Sequence, residues 1–135
     1  YNQGIISIET IEIIDLLTDR AAFDLGNAIK YICRAPHKGT TIVDLEKALW
    51  YIDDYIIHAS SSKPTSTLTK FEKNQLLKLV QSMKDEETNF KEKCAADILQ
   101  TLIYDVILYN GYLQRTRNSI LTAISTIKEL QGDSK

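Results

Sequence analysis

The chain contains few of the residues that interrupt regular secondary structure. It has only five Gly and two Pro among 135 residues, which favours long regular elements and, among these, helices. Hydrophobic residues make up 44% and charged residues 25%, as is ordinary for a soluble globular protein. This length is enough for one domain with its own hydrophobic core but not for two large domains. We therefore expect a single helical domain over residues 1–135.

Cysteine is also scarce. The only two are Cys33 and Cys94, which lie far apart on apolar helical stripes and are therefore expected to be buried, reduced thiols of a cytosolic protein. A zinc site formed by both cysteines with His37 and His58 is the alternative. No CxxC or HxxxH spacing supports it, so we predict no metal site.

Several other features are missing, and each absence excludes a class of protein. No apolar run approaches the roughly 20 residues that span a bilayer, so no membrane partner is expected. The net charge of -2 does not suit a duplex nucleic-acid binder, which needs a broad basic surface. The chain lacks GxxxxGK[ST], GxSxG and dinucleotide-binding motifs. An enzyme would therefore have to use an unusual helical site.

Residues 25–51 contain most of the side chains that suggest a binding site. They form two helical patterns joined by a basic turn. In the first pattern Asn27, Tyr31 and Arg34 share one face with Lys30 beside them, opposite an apolar stripe. This spacing predicts a polar aromatic row on one side of the helix and a buried row on the other. The stripe consists of Leu25, Ala28, Ile29, Ile32 and Cys33.

The turn that follows is cationic. Pro36 should end the first helix, and Thr40 or Thr41 can cap the second. Arg34, His37 and Lys38 gather there beside the exposed amide groups of the second helix, which suits a phosphate or another oxyanion.

The second helix extends this surface. Asp44, Lys47 and Tyr51 share one of its faces, and Tyr31, Trp50 or Tyr51 could stack on a base. In the alternative interpretation, the basic residues only neutralise helix C-terminal carbonyls and Lys47 pairs with a nearby aspartate.

The opening YN and the segments GIISIETIEIID, FDLGNAIKYICRAPHKG and DLEKALWYIDDYI resemble a small bacteriophage-encoded family of unknown function. The resemblance covers about residues 1–57, and one member of that family is the nucleotide kinase of a T-odd coliphage. It implies a phage protein that handles nucleotides in the host bacterial cytoplasm. It assigns no catalytic residue, and this chain has Pro36 where related sequences tend to have Gly.

The remainder of the chain predicts further helices. Glu9, Glu12 and Asp15 recur in a first helix, and the row resembles the magnesium-binding helices of all-α nucleoside triphosphate pyrophosphatases, although an acidic first turn explains it equally. Residues 59–68 read as a loop after the hairpin region 1–58. Residues 69–135 should form the C-terminal helices.

Local signals place the starts of these C-terminal helices. A capping box at Thr69–Glu72 begins one helix, and Thr88 or Asp85 can cap the next, which should run from about Asn89 to Tyr109. Asn110 and Gly111 then interrupt the pattern before the last helix.

Two features of this C-terminal part bear on function. Residues 98–109 are apolar nearly all round the helix, which predicts self-association. Arg115 and Arg117 follow Tyr104, Tyr109 and Tyr112, and form a possible second ligand edge. In an oligomer, either arginine could complete a pocket that Arg34 begins.

We therefore predict an all-α fold of about five helices, with an N-terminal hairpin and long C-terminal helices. Our preferred hypothesis is a non-catalytic protein that binds a linear or cyclic nucleotide and sequesters a host defence signal, without a cofactor. A kinase is the alternative, with Lys30, Arg34 and Lys38 stabilising charge and Asp44 or Asp15 holding Mg²⁺. A helical module that binds a host protein is the third. The candidate ligand-binding residues are Asn27, Lys30, Tyr31, Arg34, His37, Lys38, Lys47, Tyr51, Arg115 and Arg117.

Overall fold

The computed structural model describes residues 20–37, 39–59, 68–85, 89–108 and 112–132. Across these ranges the chain forms five α-helices and one 3-10 turn, with no strand, so the all-α prediction is confirmed for them. The elements are α1 (Arg20–Arg34), the 3-10 turn (Ala35–His37), α2 (Thr41–Ala59), α3 (Lys70–Asp85), α4 (Phe90–Leu108) and α5 (Gln114–Leu130). The predicted helix that carries Glu9, Glu12 and Asp15 lies outside the described residues.

The first two helices form the predicted hairpin. The α-helix ends at Arg34, two residues before Pro36, in agreement with the preference of proline against a helical residue before it, and a 3-10 turn continues the chain. The Thr41 hydroxyl then donates a hydrogen bond of 2.9 Å to the carbonyl oxygen of Ala35, which ties the start of α2 to the first residue of the 3-10 turn. Ala28, Ile32, Leu45, Ala48 and Ile52 are almost fully buried between the helices and the rest of the core.

Two predictions about the faces of α1 are wrong. Tyr31 was expected on the polar face, yet only 8% of it is exposed, because α2 packs against that side of α1. Cys33 was expected in the buried stripe, but it is exposed near the end of α1. The buried face is therefore turned toward α2 and runs through Ala21, Asp24, Ala28, Tyr31 and Ile32.

The C-terminal helices pack onto the hairpin. The last helix, α5, lies against both α2 and α4, whereas α4 also contacts α1 and the 3-10 turn. By contrast, α3 packs on α4 with only Val80 buried among its described side chains. Leu108 at the end of α4 is 63% exposed. Self-association through residues 98–109 stays a prediction. None of the described helices combines the length and apolarity needed to cross a membrane.

The starts of α3 and α4 are held by side-chain caps. The predicted capping box is confirmed, since Glu72 N–H donates to the Thr69 hydroxyl at 3.1 Å and Thr69 N–H donates to the Glu72 carboxylate at 2.9 Å. The cap of α4 is Asn89, whose side-chain oxygen accepts from the Glu92 N–H at 2.9 Å. The expectation of Thr88 or Asp85 in this role was wrong, because Asn89 stands directly before the first helical turn.

Candidate functional site

The candidate site lies on the outer surface of the hairpin. Its centre is the Tyr31 ring on α1, which stacks on the Tyr51 ring of α2 with centroids 5.9 Å apart and planes 11° from parallel. Only 5% of Tyr51 is exposed. Phe23 and Trp50 meet the Tyr51 ring edge-on. Because the two tyrosines cover each other, they form a rigid base for the site rather than an open platform.

Two ammonium groups converge on this base from different helices. Lys30 Nζ lies 4.8 Å from the centroid of the Tyr31 ring, and Lys47 Nζ lies 5.4 Å from it. Both distances are within the range of cation–π attraction. Such contacts position each ammonium group, and an ammonium group is a hydrogen-bond donor that suits an anion.

Arg34 stands one helical turn beyond Lys30. Its Nε lies 3.7 Å from the Asp44 carboxylate, and its side chain remains 49% exposed. The Thr40 hydroxyl also donates a hydrogen bond of 3.2 Å to the buried Asp44 carboxylate. In an ordinary helix cap the hydroxyl would instead accept a hydrogen bond from a backbone amide. Asp44 thus holds Arg34 at the end of the hairpin. We call the group of Lys30, Arg34 and Lys47 the cation face.

The other predicted residues of the hairpin contribute less directly. The Asn27 amide donates to the carbonyl oxygen of Phe23 at 2.9 Å, which fixes it along α1. His37 is exposed at the end of the 3-10 turn. Lys38 lies outside the described residues, as does Asp15, the second candidate for holding magnesium.

Arg115 and Arg117 do not join the cation face. Arg115 Nε donates to the buried Asp105 carboxylate at 2.8 Å, and Arg117 Nε donates to Asp53 at 2.6 Å. Asp53 lies nine residues beyond Asp44 on α2, about 14 Å along the helix axis. Within this chain Arg117 is therefore remote from Arg34. The pocket that would use both stays a prediction about an oligomer.

A charged cluster that the sequence did not predict joins the two helices at the far end of the hairpin. The Arg20 guanidinium binds both oxygens of Asp54 at 2.8 and 3.0 Å. Asp24 is 1% exposed and lies with Asp54 and His58 so that atoms able to bind a metal are within 4.8 Å of one another. The sequence offered one sign of this cluster. Asp24 lies three residues after Ala21 on the buried face of α1, where a carboxylate needs a partner.

The chemistry of this cluster fits an ion-pair network better than a metal site. Arg20 already supplies positive charge to Asp54. His58 Nδ1 lies 2.8 Å from the Asp54 carbonyl oxygen, so that nitrogen donates a proton rather than binding a cation. The alternative zinc set is not assembled either, since His37 precedes α2 whereas His58 lies near the end of that helix.

The cluster predicts how stability depends on pH. Burial opposes ionisation of Asp54, but the hydrogen bonds from Asp24 and Arg20 and the charges of Arg20 and His58 together lower its pKa. A carboxyl with a lower pKa in the folded state stabilises the protein above its ordinary range near pH 4. This stabilisation is lost as the pH falls through the lowered pKa.

We expect Asp54→Asn to reduce the free energy of unfolding by about 2 kcal/mol at pH 7, since charge-assisted hydrogen bonds are lost. The difference from the wild type should shrink as the pH is lowered from 5 to 2. Urea denaturation across this range measures it. Asp97→Asn, on an exposed position of α4, is the matched control. A pH-independent difference would contradict the assignment.

The cation face and the Tyr31–Tyr51 stack fall within the part of the chain that matches a family model. Residues 1–53 match DUF3310, a protein family of unknown function. The prediction that the N-terminal part resembles a family of unknown function is thus confirmed, over a slightly shorter range than 1–57. No curated protein and no solved structure matches the chain. The DUF3310 match includes α1 and most of α2 but neither Arg115 nor Arg117.

Proposed function

We propose that the protein binds a phosphorylated nucleotide at the cation face. The observation that carries this proposal is the convergence of Lys30 and Lys47, from two different helices, on the Tyr31 ring. A phosphate group between them gains charge-assisted hydrogen bonds from both. Arg34 is one turn away and can bind a second phosphate oxygen through its planar guanidinium.

The rigidity of the hairpin supports this function. Tyr31 and Tyr51 are buried and stacked, so the backbone beneath the cation face does not have to reorganise when a ligand binds. When few side chains or loops have to be ordered on binding, less of the interaction energy is lost to conformational entropy. A small anion therefore suits this surface, whereas duplex nucleic acid needs a wider basic area.

We propose binding without turnover, in which the protein sequesters its nucleotide, here a host defence signal in a phage-infected bacterium. Asp44 is the candidate among the described residues for holding Mg²⁺ in a kinase. Its carboxylate already accepts a hydrogen bond from the Thr40 hydroxyl and lies 3.7 Å from Arg34 Nε. This supports a structural role for that carboxylate. Kinase activity remains the alternative raised by the resemblance to a phage kinase, and self-association would place several cation faces in one particle.

Binding and turnover can be measured together. Trp50 is the only Trp of the chain and lies one turn from Lys47, so its fluorescence should change when a nucleotide binds. We expect at least one ligand in a panel of mono-, di-, tri- and cyclic nucleotides to raise stability, by about 2.7 kcal/mol at a hundredfold excess over Kd. The ligand should be recovered intact by chromatography with Mg²⁺ present.

Other outcomes of the same experiment discriminate the alternatives. Phosphate transferred between nucleotides establishes the kinase. If no nucleotide changes fluorescence or stability, the binding proposal fails and a module that binds a host protein is left. Arg34→Ala/Lys38→Ala should weaken nucleotide binding, but it should leave the binding of a host protein intact if the basic turn is only structural.

A further inference from the structure

A groove opens at the elbow where the hairpin meets the C-terminal helices. It encloses about 220 Å³ between the end of α1, the 3-10 turn, α3 and α4. Its walls are mostly apolar, and three polar side chains, those of Cys33, His37 and Glu92, reach it. We call this the elbow groove. Its apolar lining consists of Pro36, Met83, Ala95, Ala96 and Leu99.

The elbow groove lies directly beside the cation face. Cys33 is three residues after Lys30, and His37 is three residues after Arg34. Lys30 and Cys33 are both on α1, where residues at this spacing have Cβ atoms about 5–6 Å apart, and His37 ends the 3-10 turn that follows Arg34. A ligand whose phosphate contacts Lys30 and Arg34 can therefore place its next chemical group in the elbow groove without leaving the surface of α1.

We propose that the elbow groove holds the base of the bound nucleotide while its phosphates lie on the cation face. This inference rests on the proposed function. The volume is below the roughly 300 Å³ at which pockets for drug-sized ligands begin, so it suits one flat ring system. Apolar walls can cover the faces of such a ring. The imidazole of His37 and the Glu92 carboxylate, one oxygen of which accepts from the Asn89 side-chain amide, can bind the polar groups at its edge.

The stacking of the tyrosines favours this location for the base. Tyr31 and Tyr51 were the sequence-based candidates for stacking, but each ring covers the other and both are buried. The elbow groove is instead lined by the small side chains of Ala95 and Ala96, together with Pro36. It thus provides room beside the cations that the aromatic base of the site does not.

Cys33 supplies a direct test because its thiol lines the groove. A base in the groove should protect Cys33 from alkylation by iodoacetamide. Although Cys33 is exposed as a residue, partial desolvation of its thiol raises the pKa of that group, so the reaction should be run at mildly alkaline pH, where more thiolate is present. The probes are ATP, GTP, CTP and UTP, with inorganic tripolyphosphate as the probe that lacks a base.

At a nucleotide concentration ten times its Kd, about one protein molecule in eleven is free, so alkylation of Cys33 should slow about tenfold. Tripolyphosphate should leave the rate nearly unchanged. A reference thiol introduced by Ser125→Cys, on an exposed position of α5, should react at the same rate with and without nucleotide. Mass spectrometry of the peptides separates the sites.

A groove-filling variant gives an independent measurement. Ala96→Leu, at a half-buried helical position, should weaken nucleotide binding about tenfold or more while the affinity for tripolyphosphate is retained. Ser125→Leu adds similar bulk away from the groove and should change neither affinity.

The outcomes separate this inference from the proposed function. If a nucleotide binds, as its effect on stability shows, but Cys33 reacts at full speed and Ala96→Leu binds normally, the base lies elsewhere and only this inference is wrong. Equal protection by tripolyphosphate would also overturn it. If none of the probes binds, the proposed function fails and this inference fails with it.

Discussion

Replacing Asp105 with Ala should lower the free energy of unfolding by about 3 kcal/mol, although this residue lies far from the cation face. Asp105 is fully buried on α4. Its carboxylate accepts three hydrogen bonds from the first turn of α5, from Arg115 Nε at 2.8 Å, Thr116 N–H at 3.0 Å and the Thr116 hydroxyl at 2.8 Å. Most of the expected loss comes from Thr116, which is also fully buried.

The reason lies in how α5 begins. Leu113 occupies the N-cap position and makes no side-chain cap. Asp105, from the preceding helix, therefore accepts from a first-turn amide that has no partner within α5, and it places negative charge at the positive end of the helix dipole. Removing the carboxylate leaves the amide and hydroxyl of Thr116 buried without an acceptor.

Urea denaturation followed by circular dichroism measures this effect. Asp105→Asn keeps one acceptor oxygen and should lose less stability than Asp105→Ala. Asp97→Ala, on the exposed side of the same helix, is the control and should stay within about 0.5 kcal/mol of the wild type. If Asp105→Ala were equally close to the wild type, this carboxylate would not hold α5 in place.

Several helix ends could be predicted from local sequence because the signals that set them act over one or two turns. Pro36 ends α1, and the Thr69–Glu72 capping box begins α3. The faces of α1 were harder to predict. Tyr31 and Cys33 were misassigned because periodicity gives the angle between residues but not which side meets a neighbouring helix.

The candidate site shows the same limit. The local sequence indicated a basic turn, but the contact of Lys30 and Lys47 with one ring depends on how α1 and α2 pack. Arg117 and Asp53 are separated by 64 positions, a pairing that no local pattern encodes. The sequence thus identified candidate residues, whereas the structure shows that Lys30 and Lys47 contact Tyr31 and that Arg117 pairs with Asp53 instead.

Lys30→Ala/Lys47→Ala should weaken nucleotide binding about a hundredfold. Each substitution removes a charge-assisted contact of about 1.5 kcal/mol, and 1.4 kcal/mol corresponds to a tenfold change in Kd. Lys30 is exposed and Lys47 half-buried, so the fold should remain intact. Titration of Trp50 fluorescence measures the affinity, and circular dichroism checks the fold.

The matched control is Lys78→Ala/Lys128→Ala, which removes the same charge from exposed positions on α3 and α5. It should bind nucleotide as the wild type does, because long-range attraction is screened beyond about 10 Å at 0.1 M salt. Raising the salt concentration should weaken binding by the wild type more than by Lys30→Ala/Lys47→Ala. If both double variants lost affinity equally, net charge would control binding. The convergence of two ammonium groups on Tyr31 would then have no specific role.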